Sequence, residues 1–160
     1  MKRIILSLVF VLAFGQAVMA QDLSKLMDEL AKVESAQRQV MDRGMLSQSI
    51  PESQKEKMPA FMSKADSVVA VMVQNCPQDV NDKIQEGITE AETSGIYEPL
   101  VTVKKDNNRV SILSGKGADN NKDVYIYVAG GNAVVFVKLS GKFTTEDLAD
   151  IVKEQQKDND

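Results

Sequence analysis

Two stretches of the chain repeat apolar residues at the three- and four-residue spacing that places them on one helix face. The first stretch follows Asp22, whose short carboxylate suits an N-cap, and the second follows Pro77, whose fixed φ suits the start of a helix. Gly95 lies where the second pattern stops, as is typical after a helix. The apolar positions are Leu23, Leu26, Met27 and Leu30 in the first stretch and Val80, Ile84, Ile88 and Ala91 in the second. The sequence therefore predicts an amphipathic helix in each place.

Strand-like segments make up the rest of the regular pattern. Residues 67–73 form a β-branched run that predicts a buried strand directly before the second helix. From residue 97 the chain changes to four strand-like segments, whose short connections predict an antiparallel meander. Their predicted bounds are 97–105, 109–115, 123–129 and 133–140. We therefore predict an α+β fold with a mainly antiparallel sheet, formed by this meander and one or two earlier strands, with helices packed on it.

Alternation assigns the two faces of the meander. Tyr125 and Tyr127 are predicted on one face of its third strand, and Val124, Ile126 and Val128 on the other. The fourth strand is apolar on both faces, which indicates a central position or cover on both sides. If it lay at a sheet edge, it could accept a strand from a partner or from a second copy. We favour the central position, because proteins avoid long exposed apolar edges.

Residues 34–41 and 47–59 each allow two interpretations. The first segment fits an extension of the first helix or a strand, and helix propensity favours the helix. The second contains two prolines and predicts a loop or a loosely held excursion, with a mobile stretch at about 45–65. The apolar residues of this region form either an adaptable partner site or a helical excursion packed on the core, and packing is the commoner use of such residues. These residues are Met45, Leu46, Ile50, Met58, Phe61 and Met62.

The C-terminal end of the chain predicts a short helix and a tail. Thr144–Asp147 resembles a capping sequence, in which side chains bond the first free N–H groups of a helix. Leu148 and Ile151 then follow at helical spacing. The residues from 154 to 160 are polar, and we predict a tail there. A single domain is accordingly expected to extend from 21 to 153.

The first twenty residues are typical of a cleaved export signal. A basic start, Met1–Arg3, precedes the apolar run Ile4–Phe14, and Val18–Ala20 provides small or modest residues at the cleavage site. The run is too short to span a bilayer. We expect cleavage after Ala20, which makes the mature chain periplasmic or secreted. Lipid attachment requires a cysteine at the new N-terminus, and Gln21 occupies that position, so we expect neither a lipoprotein nor a stable membrane anchor.

Composition narrows the classes of partner. Removing 20 of the 160 residues leaves 140, enough for one domain with its own core. The chain has 19 basic and 23 acidic residues, and two of the basic ones lie in the signal, so the mature net charge is −6. This acidic balance argues against nucleic acid as a partner, since nucleic acid is bound by clustered Lys and Arg.

The sequence also excludes several chemistries. It contains no histidine, which excludes Ser-His-Asp and Cys-His catalysis and histidine-ligated zinc or haem. The single cysteine, Cys76, excludes an intramolecular disulfide and a thiolate cluster. Cys76 precedes a helix and could act as a redox thiol, but a buried structural cysteine is commoner. The chain lacks tryptophan and is only 5% aromatic, so stacking platforms for sugars or bases are not expected. We assign no catalytic, cofactor-binding or metal-binding residue and expect no cofactor.

Two short motifs carry weak chemical signals. Asp119–Asp123 places oxygen-bearing side chains as in the start of a calcium loop, but Val124 and Gly130 stand where that loop needs Gly and Glu. A solvated hairpin loop explains this motif better. Gly115–Gly117 suggests a phosphate-binding turn, yet it precedes a strand and not a helix N-terminus, so its signal is negligible.

Three stretches resemble a known bacterial family. They are Tyr97–Val101, the paired strands around 106–109, and Val135–Phe143, which ends in Leu-Ser-Gly-Lys-Phe. Together with the signal and the strand–helix unit, they resemble the envelope family catalogued as domain of unknown function 4252, over most of residues 34–150. The resemblance implies that residues 34–41 form a strand. It implies no activity and no site, because none is established for the family.

These observations lead to three functional hypotheses. The leading one is an exported, soluble, non-catalytic protein of the cell envelope that binds a protein or peptide partner or a second copy of itself. The alternative is a small-molecule or ion carrier with a pocket between the sheet and its helices. An enzyme that uses carboxylates is the least favoured, because the acidic residues are scattered and aromatic residues to hold a sugar are scarce.

Overall fold

The computed structural model describes most of the chain beyond the predicted signal. The described residues are 22–49, 51–55, 60–106, 108–117 and 120–158. Their helices are α1 (Leu23–Ala31), α2 (Arg43–Ser49), α3 (Glu52–Lys55), α4 (Gln78–Thr93) and α5 (Thr145–Asp158), with a 3₁₀ helix at Ala60–Lys64. Their strands are β1 (Ala36–Asp42), β2 (Ala65–Val73), β3 (Glu98–Lys105), β4 (Asn108–Lys116), β5 (Lys122–Gly130) and β6 (Ala133–Gly141). The predicted signal and its cleavage site lie outside the described residues.

The six described strands form one antiparallel sheet in the order β1-β2-β6-β5-β4-β3. The predicted meander is confirmed as β3 to β6. The tight turn between β5 and β6 needs a left-handed backbone, and Gly131 supplies it with a φ of 59°. β6 pairs with β2 on one side and with β5 on the other, so the central position predicted for it is confirmed. The chain therefore has the predicted α+β fold.

One face of the sheet, called here the α1/α4 face, is covered by those two helices. The helix faces predicted from the apolar spacing are buried against it, and Leu23, Leu30 and Ile88 are inaccessible to solvent. Tyr127 and Phe136 lie in the same cluster, with ring centroids 5.6 Å apart in an edge-to-face contact. Large aromatic side chains thus fill the space between the sheet and the two helices.

The opposite face, called here the α5 face, carries α2 and α5. Val124 and Ile126 of β5 pack there with Leu46 of α2 and with Leu148 and Ile151 of α5. The tyrosines of β5 lie on the α1/α4 face, so the predicted division of this strand into two faces is confirmed. The sheet is therefore the middle layer of three.

Side-chain caps fix the starts of two helices as predicted. Asp22 accepts a hydrogen bond from the backbone N–H of Ser24 at 2.9 Å. At α5 the Thr144 N–H donates to Asp147 Oδ2 (2.7 Å) and the Asp147 N–H donates to Thr144 Oγ1 (3.2 Å), which closes a capping box. Lys64 Nζ lies 2.8 Å from the same Oδ2, and this bond holds the pKa of the Asp147 carboxyl below its usual range. The box and the ion pair together attach α5 to the 3₁₀ helix.

The structure decides the ambiguous segment 34–41 in favour of a strand. Residues 36–42 form β1, as the family resemblance implied and against helix propensity. The strand forms because β1 pairs with β2 over its whole length, and such tertiary pairing outweighs local helix propensity.

Two other predictions for irregular segments were wrong in part. Of the residues expected to form a loop at 47–59, those described are helical in α2 and α3 apart from Pro51. The burial of Leu46 against the α5 face agrees with the favoured alternative, a helical excursion packed on the core. The mobility expected at 45–65 stays a prediction. The polar tail expected from residue 154 is helical to Asp158, since α5 continues that far. Glu, Gln and Lys favour helix by propensity and need no apolar face to extend one.

The close passage of β6 past the start of β2 makes Gly141 sensitive to substitution. A Cβ at Gly141 would overlap the carbonyl oxygen of Lys64 and lie 3.1 Å from the Cα of Ala65, both of which are backbone atoms. We expect Gly141→Ala to lower the free energy of unfolding by about 1–3 kcal/mol in urea titrations. Gly44→Ala is the matched control, because a Cβ there makes an ordinary 3.4 Å contact with Asp42, and we expect it to be neutral or slightly stabilising. Equal effects of the two substitutions would contradict this explanation.

Candidate functional site

A buried ion pair joins β4 to α4 on the α1/α4 face. Strand alternation directs Arg109 and Ser111 towards α4, and Glu92 meets them from the helix. Arg109 Nη2 lies 3.2 Å from Glu92 Oε2, and the Ser111 hydroxyl donates to Glu92 Oε1 at 2.7 Å. The Arg109 side chain is 4% exposed and that of Glu92 is 12% exposed. Buried charges require such complete pairing, because an unpaired one is very costly.

Further hydrogen bonds extend this pair along α4. Arg109 Nη1 donates to the Gln85 carbonyl at 3.0 Å, and Gln85 Nε2 donates to Asn81 Oδ1 at 3.2 Å. The Tyr127 hydroxyl donates to the same Asn81 oxygen at 3.1 Å. Burial raises the pKa of Tyr127 to about 12, although the positive charge of Arg109 opposes the shift. The phenol therefore stays protonated and acts as a donor.

An open cleft of about 300 Å³ borders these groups. Asn81, Gln85 and Arg109 line it together with Lys104 and Asp106. The Nε, Nη1 and Nη2 atoms of Arg109 each already bond a group of the protein. The guanidinium thus holds α4 on the sheet.

A second polar cluster surrounds Ser24 at the start of α1. The Ser24 hydroxyl lies 3.2 Å from Lys138 Nζ and 3.1 Å from the Tyr125 hydroxyl. A serine beside a lysine is also the arrangement of a nucleophile with its base. Acyl transfer at such a serine needs N–H donors for the developing oxyanion. Here the backbone N–H of Ser24 donates to Asp22, and that of Leu23 donates to the Tyr97 hydroxyl at 3.2 Å. Both N–H groups beside the serine are therefore already bonded.

The lysine of this cluster has partners besides the serine. Lys138 Nζ is 3.7 Å from Asp123 Oδ2 and 5.8 Å from the centroid of the Tyr125 ring. Asp123 Oδ1 accepts a hydrogen bond of 2.7 Å from the Ser140 hydroxyl. Burial raises the pKa of both Tyr125 and Tyr97. We interpret the cluster as an attachment of α1 to the sheet and assign it no catalytic role.

A row of apolar side chains crosses five strands on the α5 face. The strand register places Val135 opposite Met72 and Val128, and Val110 opposite Val128 and Val103. We call Met72, Val135, Val128, Val110 and Val103 the apolar row. Met72 is 47% exposed and Val103 is 53% exposed, while the three residues between them are partly buried. Neighbouring strands lie about 4.8 Å apart, so the row is about 19 Å long.

The one cysteine is a buried residue of the α1/α4 face. Cys76 is 7% exposed, and its N–H donates to the Asn132 carbonyl at 2.8 Å. Burial raises the pKa of its thiol, and the negative charge of Asp79 adds to the shift. A redox thiol requires the opposite shift. The geometry therefore supports a structural cysteine.

The calcium motif is only partly visible, because Asp119 lies outside the described residues. Asp123 is bonded to Ser140, and the Asn121 amide nitrogen donates to Asp66 Oδ2 at 3.1 Å. In the described part of the chain, no three acidic or cysteine side chains are grouped to hold a metal ion. The calcium site thus stays a hypothesis with no described set of ligands.

The fold and its surfaces define an α+β protein whose sheet carries helices on both faces and a partly exposed apolar row on one of them. The model of the family described as domain of unknown function (DUF4252) matches residues 17–151, and the chain belongs to that family. Searches of curated proteins and of solved structures found no match. None of the helices in the described residues has the length and apolar character needed to cross a membrane.

Neutralising a charge of the buried ion pair should destabilise the protein more than neutralising a charge of an exposed pair. Glu92→Gln keeps the shape of the side chain but leaves the buried Arg109 without its counter-charge, so we expect a loss of about 3 kcal/mol in the free energy of unfolding. Glu29→Gln is the matched control, because Glu29 pairs with Lys83 at 3.1 Å with both side chains exposed, and its loss should stay below about 1 kcal/mol. Urea titration of both variants measures the difference. Equal losses would show that burial does not matter here.

The tyrosines predict a loss of stability at high pH. The chain has three tyrosines, and the pKa values of Tyr97, Tyr125 and Tyr127 are all raised in the folded state. The unfolded chain releases these protons near pH 10, whereas folded Tyr127 keeps its proton up to about pH 12. The free energy of unfolding should therefore fall as the pH rises above about 10, by up to about 1.4 kcal/mol per pH unit for each tyrosine. Ultraviolet absorbance of tyrosinate measures the ionisation directly, and a native midpoint near pH 10 would contradict the prediction.

Proposed function

We propose that this protein is an exported, non-catalytic protein of the cell envelope that binds a protein or peptide partner, and that the apolar row is its contact surface. The observation that carries the proposal is the row itself. Its five side chains lie on five different strands, and the register aligns them into one continuous stripe. Contiguous exposed apolar surface is rare on soluble proteins and marks sites of interaction.

The energetics of the row favour its being covered. Met72 and Val103 expose about half of their side-chain surface. Covering each of them would contribute about 1 kcal/mol to the free energy of binding. The three valines between them are partly exposed, and covering their remaining surface would add to this. None of the five side chains carries a strong hydrogen-bonding group, so covering them breaks no side-chain hydrogen bond to water.

The shape of the row indicates the kind of partner. A stripe of about 19 Å that runs across the strands matches the apolar face of an amphipathic helix of three to four turns, since a helix rises about 5.4 Å per turn. Recognition of an amphipathic helix by an apolar surface is a common mode of peptide binding. We therefore expect a partner segment with apolar residues at helical spacing.

The structure offers less support for a carrier or an enzyme. On the α1/α4 face the space between sheet and helices is filled by side chains such as Tyr127 and Phe136, which are fully buried. Two depressions, of about 500 Å³ beside Val33 and about 300 Å³ beside Arg109, are open to the surface. The larger one is also lined by the charged residues Glu29 and Lys32. A carrier binds its ligand in an enclosed, mainly apolar pocket. A partner surface is the interpretation that these features favour.

Charge placed on the row should abolish partner binding without unfolding the protein. We expect the double variant Met72→Glu, Val103→Glu to lose at least tenfold in capture of its partner from an envelope extract of the source organism, because both glutamates would be desolvated by contact. Ile96→Glu is the matched control, since Ile96 is also apolar and 55% exposed but lies away from the row. Quantitative mass spectrometry of the captured proteins measures the effect.

Two results of this experiment would contradict the proposal. One is capture of the same proteins in the same amounts by the wild type, the double variant and the Ile96 control. The other is equal loss in the double variant and in the control, which would indicate general stickiness. Circular dichroism and thermal unfolding establish that each variant is folded before it is compared.

A further inference from the structure

Among the described strands, β1 and β3 form the two edges of the sheet, and these edges differ. β3 contains Pro99, a register shift between Pro99 and Val101, and the exposed residues Lys104 and Lys105. Prolines, bulges and lysines at a sheet edge prevent pairing with another chain. β1 pairs with β2 residue by residue without a shift, and it contains neither proline nor lysine. The outer edge of β1 is therefore suited to accept a further strand.

The side chains of β1 carry a charge pattern that is complementary to itself. Arg38, Val40 and Asp42 lie on the α1/α4 face, because they pair with alternate residues of β2 from Val71 to Ser67. Val40 is 53% exposed although it is apolar, and opposite charges lie two residues away on either side. A copy related by a two-fold axis normal to the sheet, with Val40 opposite Val40, brings each Arg38 opposite Asp42 of the other copy.

We propose that β1 pairs with β1 of a second copy in this register, so that the protein forms a symmetric dimer with one continuous sheet. Pairing of residues 38–42 supplies about four to six main-chain hydrogen bonds, because antiparallel strands exchange them in pairs at alternate positions. The two Val40 side chains cover each other at the axis. An ion pair on each side of them adds cross-strand attraction.

The charges also specify the register. A two-fold axis normal to the sheet keeps its faces, so the neighbouring registers are centred on Gln39 or on Met41. The first places Arg38 opposite Val40, and the second places Asp42 opposite Val40. In both cases a charge faces an apolar residue and loses its counter-charge. Only the register centred on Val40 places the two valines opposite each other and each Arg38 opposite an Asp42.

Contacts within one copy leave both charges accessible. Arg38 Nη1 lies 3.2 Å from Asp28 Oδ1, but these side chains are 47% and 57% exposed, and such surface pairs contribute little. Asp42 Oδ1 accepts the Met45 N–H at 2.8 Å as a helix cap, and Oδ2 of the same carboxylate can receive the guanidinium of the second copy. Dimerisation therefore costs neither copy a strong interaction.

Sedimentation equilibrium of the protein expressed from its full-length sequence tests the proposal. We expect a dimer for the wild type and a dissociation constant raised about tenfold or more by Arg38→Glu, because two ion pairs become two like-charge pairs. Val40→Lys should give a monomer, since two ammonium groups would meet at the axis. Asp28→Ala is the control, because it removes the intramolecular partner of Arg38 and should leave the dimer intact. A monomeric wild type at its highest soluble concentration would overturn the proposal, as would an Arg38→Glu variant that dimerises like the wild type.

Cross-linking tests the register separately. A short bis-maleimide should join two copies of Val40→Cys, whose thiols meet at the axis, and should not join Gln37→Cys, whose thiols lie about 20 Å apart in this register. The wild type, whose native Cys76 is buried, measures the background cross-linking. Equal cross-linking of both variants, or none in either, would overturn the proposed register. The double variant Met72→Glu, Val103→Glu should still dimerise, so a failure of partner binding and a failure of dimerisation can be told apart.

Discussion

The central strand β6 must be covered on both faces, and the rest of the fold depends on this requirement. Phe136 and Val134 face α1 and α4, whereas Leu139 and Val137 face α2 and α5. Each square ångström of apolar surface removed from water contributes about 25 cal/mol, so a sheet with helices on one side only would leave the gain from its other face unrealised. The strands that flank β6 come from distant parts of the sequence, β2 before the meander and β5 within it. Their pairing brings the two halves of the chain together.

The two faces of the sheet are stabilised differently. On the α1/α4 face, directional interactions accompany the apolar core, namely the Arg109–Glu92 pair and the contacts of Ser24 with Lys138 and Tyr125. Such bonds fix the orientation of the helices, because a slide of a few ångströms would leave buried polar groups unpaired. The described core of the α5 face is mainly aliphatic and continues into the apolar row, and its directional contacts lie at the start of α5, where Asp147 bonds Thr144 and Lys64. Buried polar pairs therefore fix α4 on one face, whereas the other face leaves Met72 and Val103 about half exposed.

Local sequence patterns predicted most strands and helices but little of the surfaces. Period-two alternation was enough for β4 to β6, and capping residues were enough for the starts of α1 and α5. β1 could not be predicted from propensity, because its Gln and Arg residues favour helix and its strand form depends on pairing with β2. The Arg109–Glu92 pair and the apolar row were missed for a related reason. Their members lie on different elements, and only the register of the sheet brings them together.

Joining two sheets at β1 has a geometric consequence for the apolar row. A two-fold axis normal to the sheet leaves each face on its own side, so the rows of both copies would lie on the same side of the dimer. A partner that presents two apolar segments could then bind both rows, and its second contact would form at a high effective concentration. Each row alone exposes only a few side chains, which is little surface for a stable complex with one copy. If β1 pairs as proposed, the dimer would present two rows on one side and so double the apolar surface available to one partner.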